Sequence, residues 1–150
     1  MFGIQEPNRN FESTEMLTSF HNVIRSVSTH HHGAVSSAKL HWPVEYQPGG
    51  TAVSVRNQWA TRFLGKGSDN FGRWSWLTVA GRGTTKITFI SGYRVCDGAT
   101  ESEITSRTVR AQQEWMYADC GTHNVDLRAQ FVTDIVKVIK SFQNEATTSY

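Results

Sequence analysis

No run of apolar residues in this chain is long enough to cross a bilayer, which takes about 20 residues as a helix. Met1 to Asn10 lacks the basic start and apolar core of a secretion signal. These absences leave nothing that directs the chain to a membrane or to export, and an intracellular protein is expected. Cysteine is scarce: Cys96 and Cys120 are the only two, and their separation fits no zinc or redox motif. Without an oxidising compartment, free thiols are expected rather than a disulfide. Internal repeats and low-complexity tracts are absent as well.

Acid is nearly missing from the middle of the chain. From Gly50 to Arg94 there are seven basic residues (Arg56, Arg62, Lys66, Arg73, Arg82, Lys86, Arg94) against one acid, Asp69, a local charge of +6 inside a chain of net +2. The flanks are mildly acidic. Such a distribution suits a face that binds a polyanion. It equally suits a block of strands whose long charged side chains are solvated and guard against edge pairing.

What is present is enough for one domain. The chain has 150 residues, of which 38% are hydrophobic, so a folded single domain with a core is expected. Phe2 to Gln5 reads as a short buried strand, ended by Pro7, which biases Glu6 away from helix. Ser13 is a candidate N-cap for a helix to Ser28. Met16, Leu17, Phe20, Val23, Ile24 and Val27 recur at helical spacing along it and predict one buried face. His30 to Gly33 is expected to be a loop and Ala34 to Leu40 a strand. Tyr46 to Gly50 is a turn signal. Thr51, Val53 and Val55 alternate as in a strand. Ala60 to Leu64 suggests another short strand, and Gly65 to Gly72 a loop.

Arg73 to Ala80 and Thr85 to Gly92 predict a hairpin turning at Gly81-Arg82-Gly83. Cys96 to Glu103 is polar connection. Helices are expected from Ser106 to Asp119, burying Val109, Trp115 and Met116, and from Asp126 to Phe142. Leu127, Phe131, Ile135, Val138, Ile139 and Phe142 share a face of the latter. The order predicts a mixed α/β fold of the α+β kind, a mainly antiparallel sheet covered by helices on one side. One domain over residues 1–143 with a polar tail at 144–150 is expected. A terminal first strand, and a closing helix that needs a sheet to cover, read like a piece of a longer domain.

Three groups of residues have chemical potential. Glu6 stands at the end of the opening strand, where a carboxylate can hold a hard cation such as magnesium, with Asn8 two residues on. Tyr93 and Arg94 end the second hairpin strand, where a phenol and a guanidinium can contact phosphate oxygens. Glycines precede strands at Gly49-Gly50 and at Gly72, beside Arg73, where backbone can approach a ligand. The commoner roles are a solvated Glu, a core-edge Tyr and surface arginines.

In this order, a strand ending Gln5-Glu6, a helix, Gly49-Gly50 before a strand and a strand ending in Tyr93 resemble the endonuclease/exonuclease/phosphatase superfamily, with its deoxyribonuclease-I-like sandwich. Gly72-Arg73-Trp74-Ser75-Trp76, Gly92-Tyr93-Arg94-Val95-Cys96 and the last helix look most like diverged members that accompany reverse transcriptases in retroelements. The likeness runs from about Phe2 to Phe142, and its specificity lies in the order of short motifs.

The resemblance implies a hydrolase cutting nucleic acid, DNA before RNA, with magnesium or manganese as cofactor. It implies Glu6 as metal ligand, Tyr93 as the phosphate-contacting aromatic, and Asn8, Arg9, Arg73 and Arg94 as substrate contacts. Val95 stands where the family usually has proline. The family's first asparagine-bearing strand and its Gly-Asp-x-Asn and Ser-Asp-His segments have no counterpart here. A partial domain, inactive by itself, is therefore expected. A non-catalytic nucleic-acid-binding module and a degenerate remnant are the other readings.

Other signals carry less. Adjacent His30, His31 and His32 point in different directions and do not make one metal site; an exposed polar loop is expected there. Gly65-x-Gly67 and Gly81 to Lys86 lack the spacing of phosphate-binding loops. Trp59, near Arg56 and Arg62, is of a type that can stack on a base, though core packing is the default for tryptophan.

Overall fold

A computed structural model describes residues 1–38, 47–95, 107–121 and 125–147. The chain splits into two compact units, Met1–Tyr93 and Arg94–Tyr150. Among the described residues no helix is long and apolar enough to cross a membrane.

The first unit is built from six strands: β1 (Phe2–Gln5), β2 (His31–Ser36), β3 (Thr51–Arg56), β4 (Phe63–Ser68), β5 (Trp74–Ala80) and β6 (Lys86–Gly92). Helix α1 (Thr14–Val27) joins β1 to β2, and a 3₁₀ helix, Asn57–Arg62, joins β3 to β4. The strands form two three-stranded antiparallel sheets, ordered β1-β3-β2 and β4-β5-β6. The mixed α and β content is as expected. The antiparallel pairing is as expected too; the strands divide into two sheets, and the core lies between them. Ala34, Val53 and Val55 from one sheet meet Leu77 and Val79 from the other, edged by Trp59, Phe63, Ile87 and Phe89. Alternation puts each of these on an inward face.

The core has an apolar end and a polar end. Ser36, Thr51, Ser75 and Ser91 occupy buried positions towards Gln5 and Gly92. Each hydroxyl has a partner: Ser36 donates to Asp69, Thr51 to Ser75, and Ser91 to the Ile4 carbonyl. Buried hydroxyls are tolerated because those bonds are made.

Several sequence expectations need correction. β1 is an edge strand paired only with β3, so Gly3, Ile4 and Gln5 are exposed rather than buried. His31 and His32 belong to strand β2, not to a loop. Ala60 to Arg62 lie in the 3₁₀ helix, and the strand begins only at Phe63. β4 continues through Gly65 and Gly67, which read as loop residues. An ideal Cβ on Gly67 would come within 2.7 Å of the Trp76 indole, so the missing side chain lets the neighbouring strand's indole cross over the backbone.

Ser13 is the N-cap residue of α1, but its side chain makes no capping bond. Most of the expected stripe of α1 is covered, but one edge of it is not. Ile24 is buried and Met16, Leu17 and Phe20 are half-buried, as is His21, while Val23 and Val27 are each 65% exposed. The cause is the docking point. Phe20 and His21 close on Gly33 of β2, where an ideal Cβ would meet the Phe20 ring at 3.2 Å.

In the second unit, α2 spans Arg107–Cys120 and α3 Leu127–Thr147. Met116 is buried as expected, with Thr108, Ala111 and Gln112, while Val109 and Trp115 are half-buried. Asp126 caps α3 by accepting the N–H groups of Arg128 and Ala129 at 3.0 Å, which satisfies orphan donors of the first turn. Leu127 is buried, Phe131, Ile135, Val138 and Phe142 are half-buried, and Ile139 is exposed. α3 runs past Phe142 to Thr147, so the start of the expected tail is helical. The expected connection at Cys96 to Glu103 lies outside the described residues, as do Lys39 and Leu40 at the end of the expected strand and Tyr46 of the turn signal.

Candidate functional site

The polar end of the sandwich is where β1 and β6 finish together. The Gln5 side chain donates from Nε2 to the Gly92 carbonyl at 2.7 Å. Glu6 and Tyr93 each follow one residue later, so the two candidate catalytic residues leave the sheets at a common rim. Glu6 is exposed and Tyr93 half-buried. The Tyr93 N–H donates to the Arg73 carbonyl at 2.7 Å, which fixes its backbone to the start of β5.

The backbone after β1 is unusual. Glu6 and Asn8 both have φ of 51°, and Gly49 and Gly50, opposite them, have φ of 81° and 89°. Glu6 N–H donates to the Gly50 carbonyl at 3.0 Å and Asn8 N–H to that of Gly49 at 3.1 Å. Asparagine tolerates left-handed backbone through local hydrogen bonds, and Asn8 Oδ1 accepts the Gly49 N–H at 2.9 Å. Glutamate has no such compensation, so Glu6 is held in a strained conformation costing about 1–3 kcal/mol, the kind that clusters at functional positions. The left-handed turns also break the extended geometry that would have set Asn8 beside Glu6. The Asn8 side-chain oxygen faces Gly49, and Arg9 is exposed beyond it.

Arg73 is not at the surface. Its side chain is 3% exposed, and its Nε bonds Asp69 Oδ2 at 2.7 Å. The guanidinium lies over the rings of Phe71 and Trp74, at 4.8 and 4.3 Å from their centroids. Asp69 Oδ1 also accepts the N–H groups of Arg73 and Trp74 and the Ser36 hydroxyl. Arg73 thus anchors the loop that receives Tyr93, rather than reaching outward as the sequence suggested. Arg94 is exposed and opens the second unit. Among the described residues no group of three or more His, Cys, Asp or Glu could hold a metal ion. Among the described residues Glu6 is an exposed carboxylate at the rim, whereas that of Asp69 is turned inward.

Sequence reasoning missed Gln5, which ties the two strand ends, and Asp69, which organises the loop. The signal for Asp69 was available: it is the one acid in the basic segment from Gly50 to Arg94.

The histidines alternate across β2. His31 Nε2 lies 3.3 Å from His21 Nδ1 of α1, whereas His32 stacks on Phe63 with centroids 3.9 Å apart. Burial lowers the pKa of His21 and His32 below 6.5, and Lys66 and His31 lower both further. A depressed folded pKa means that the neutral form is favoured in the native state. The stabilising contribution is complete above pH 6.5 and declines as pH falls through that value, because the unfolded chain takes up protons first. Urea midpoints should therefore drop on acidification from neutral pH, and His21→Gln with His32→Gln should flatten that dependence. An unchanged slope in the double variant would rule these histidines out as its source.

No protein-family model, curated protein or solved structure matches this chain.

Proposed function

We propose that the rim belongs to a magnesium-dependent phosphodiester hydrolase domain acting on nucleic acid, of the retroelement-associated endonuclease/exonuclease/phosphatase kind. The observation that carries this is the Gln5–Gly92 hydrogen bond, which brings the strand ends bearing Glu6 and Tyr93 to one rim. The left-handed backbone of Glu6 supports it, since strain there needs a reason. Glu6 would hold the metal through its carboxylate oxygens, and the bound metal would supply positive charge to the phosphate. Tyr93 offers its hydroxyl to a non-bridging phosphate oxygen. Arg73 and Asp69 position Tyr93 through the loop between β4 and β5. Asn8 shapes the turn that presents Glu6, and Arg9 and Arg94 are candidate phosphate contacts.

Paramagnetic manganese is the direct probe of this site, because it stands in for magnesium and broadens nearby NMR signals. Broadening of the Gln5, Glu6 and Tyr93 amides is expected in the full chain and should vanish in Glu6→Gln. Broadening that persists in Glu6→Gln, or that centres elsewhere, would reject Glu6 as the ligand.

A further inference from the structure

The basic segment suggested by the sequence as a polyanion-binding face does not surround the rim. β3 runs away from Gln5 and ends at Arg56, which pairs with His31 at the opposite end of the first sheet. The 3₁₀ helix follows and carries Arg62, just before Phe63, whose partner is Val79 near the far end of β5. Arg82 lies in the turn after Ala80, and Lys86 opens β6 opposite Ala80. All four therefore lie towards the hairpin end of the sandwich, a strand's length from Glu6 and Tyr93, with Arg56 and Lys86 on the outward faces of the two sheets. Neighbouring strands lie about 4.8 Å apart, so Arg62 and Lys86 flank β5 at about 10 Å. That is close to the screening length at moderate salt, and their potentials add.

The acids of this unit sit at the other end. Glu6 is at the rim, Asp69 is buried beside Ser36, and Glu12 and Glu15 lie where α1 begins, next to Ser37. Arg25, in the last turn of α1, is carried towards the hairpin end, where Ser28 bonds Asn57. Among the described residues of the unit, the hairpin end thus carries basic side chains and no acid, whereas at the rim Arg9 and Arg73 accompany the acids. Arg62, Arg82 and Lys86 are exposed and Arg56 is half-exposed. Trp59 is held edge-on against Phe89 and against the core, with Arg62 6.0 Å from its centroid. It serves packing rather than offering a free platform for a base.

We infer that Arg56, Arg62, Arg82 and Lys86 form a second nucleic-acid contact, a sequence-independent surface for the phosphate backbone at the hairpin end of the sandwich, separate from the rim. Forked guanidinium groups suit phosphate, and repeated phosphates suit a spread of cations without base-reading side chains. The choice of nucleic acid over another polyanion rests on the reading of the rim as acting on phosphodiesters. The surface itself does not.

The test uses the full chain, a short labelled DNA duplex and anisotropy between about 50 and about 200 mM salt. Joint substitution Arg56→Gln, Arg62→Gln, Arg82→Gln and Lys86→Gln should weaken binding about 100-fold at the lower salt and reduce the log–log salt slope by about 3–4. Replacing only the three arginines by lysine should keep most of the slope, which guards against a folding defect in the neutral variant. The pairs Arg56→Gln/Arg62→Gln and Arg82→Gln/Lys86→Gln should each remove about half of it. Wild-type affinity and slope in the quadruple variant would overturn the assignment. So would a wild-type chain that ignores the duplex but binds vesicles rich in phosphatidylserine through the same four residues. Loss of manganese broadening at the rim together with an intact four-residue salt slope would sink the rim reading and leave this surface standing.

Discussion

Asp69→Ala should destabilise the first unit by about 3–5 kcal/mol, the range for breaking a buried ion pair from one side. The side chains of Asp69 and Arg73 are 7% and 3% exposed, so water cannot replace the lost partner. The carboxylate also accepts two backbone N–H groups and the Ser36 hydroxyl. Removing it takes an acceptor from several buried donors at once, each loss costing about 1–3 kcal/mol before relaxation. The expected readout is a large fall in the urea midpoint with little change in slope. Asp69→Asn retains an oxygen for the backbone donors but turns an amide towards Arg73, and should fall between wild type and alanine. Adding Arg73→Met to Asp69→Ala should recover part of the loss, because an apolar side chain in place of the cation removes a buried charge that has lost this carboxylate. An Asp69→Ala variant within about 1 kcal/mol of wild type would show that the loop is held by other means.

This loop illustrates which features were legible in the sequence. The spacing of Asp69 and Arg73 is visible, but nothing local says that the pair folds inward. That follows from Ser36, 33 residues away, donating to the same carboxylate. Features set by short-range chemistry were readable. The hairpin of β5 and β6 follows from alternation and a glycine-bearing turn, and α1 from a helical stripe bounded by Ser13 and Ser28. Features set by distant partners were not. β4 looks like a loop until Trp76 is seen crossing Gly67. The His31-His32 pair looks solvated until His21 and Phe63 are placed against it. The division into two sheets depends on β3 taking both β1 and β2 as partners, which periodicity cannot encode. At the rim, Glu6 and Tyr93 could be named from their positions at strand ends, but their convergence depends on the contact between Gln5 and Gly92, 87 residues apart.

The rim geometry depends most tightly on Gly50, and Gly50→Ala should cost about 2–4 kcal/mol. Two terms contribute. A φ of 89° is unfavourable for any L side chain, by about 1–2 kcal/mol. In addition, a Cβ there would lie 2.9 Å from the Ser36 carbonyl oxygen, a backbone atom of β2 that cannot swing aside, with the Pro7 ring at 3.4 Å. Gly83 separates the two terms. Its φ is 63° and nothing lies within 4 Å of an added Cβ, so Gly83→Ala should show only the conformational term, about 1 kcal/mol. The difference between the two variants measures the steric term. The functional consequence follows from the hydrogen bond that Glu6 N–H makes to the Gly50 carbonyl. Backbone displaced to relieve the contact carries Glu6 with it. In Gly50→Ala held folded at low temperature, the Glu6 and Asn8 amide shifts should therefore change and manganese broadening should weaken, while Gly83→Ala retains both. Equal stability of the two variants, with unchanged Glu6 signals, would mean that the turn accommodates a side chain and that Gly50 does not set the position of the carboxylate.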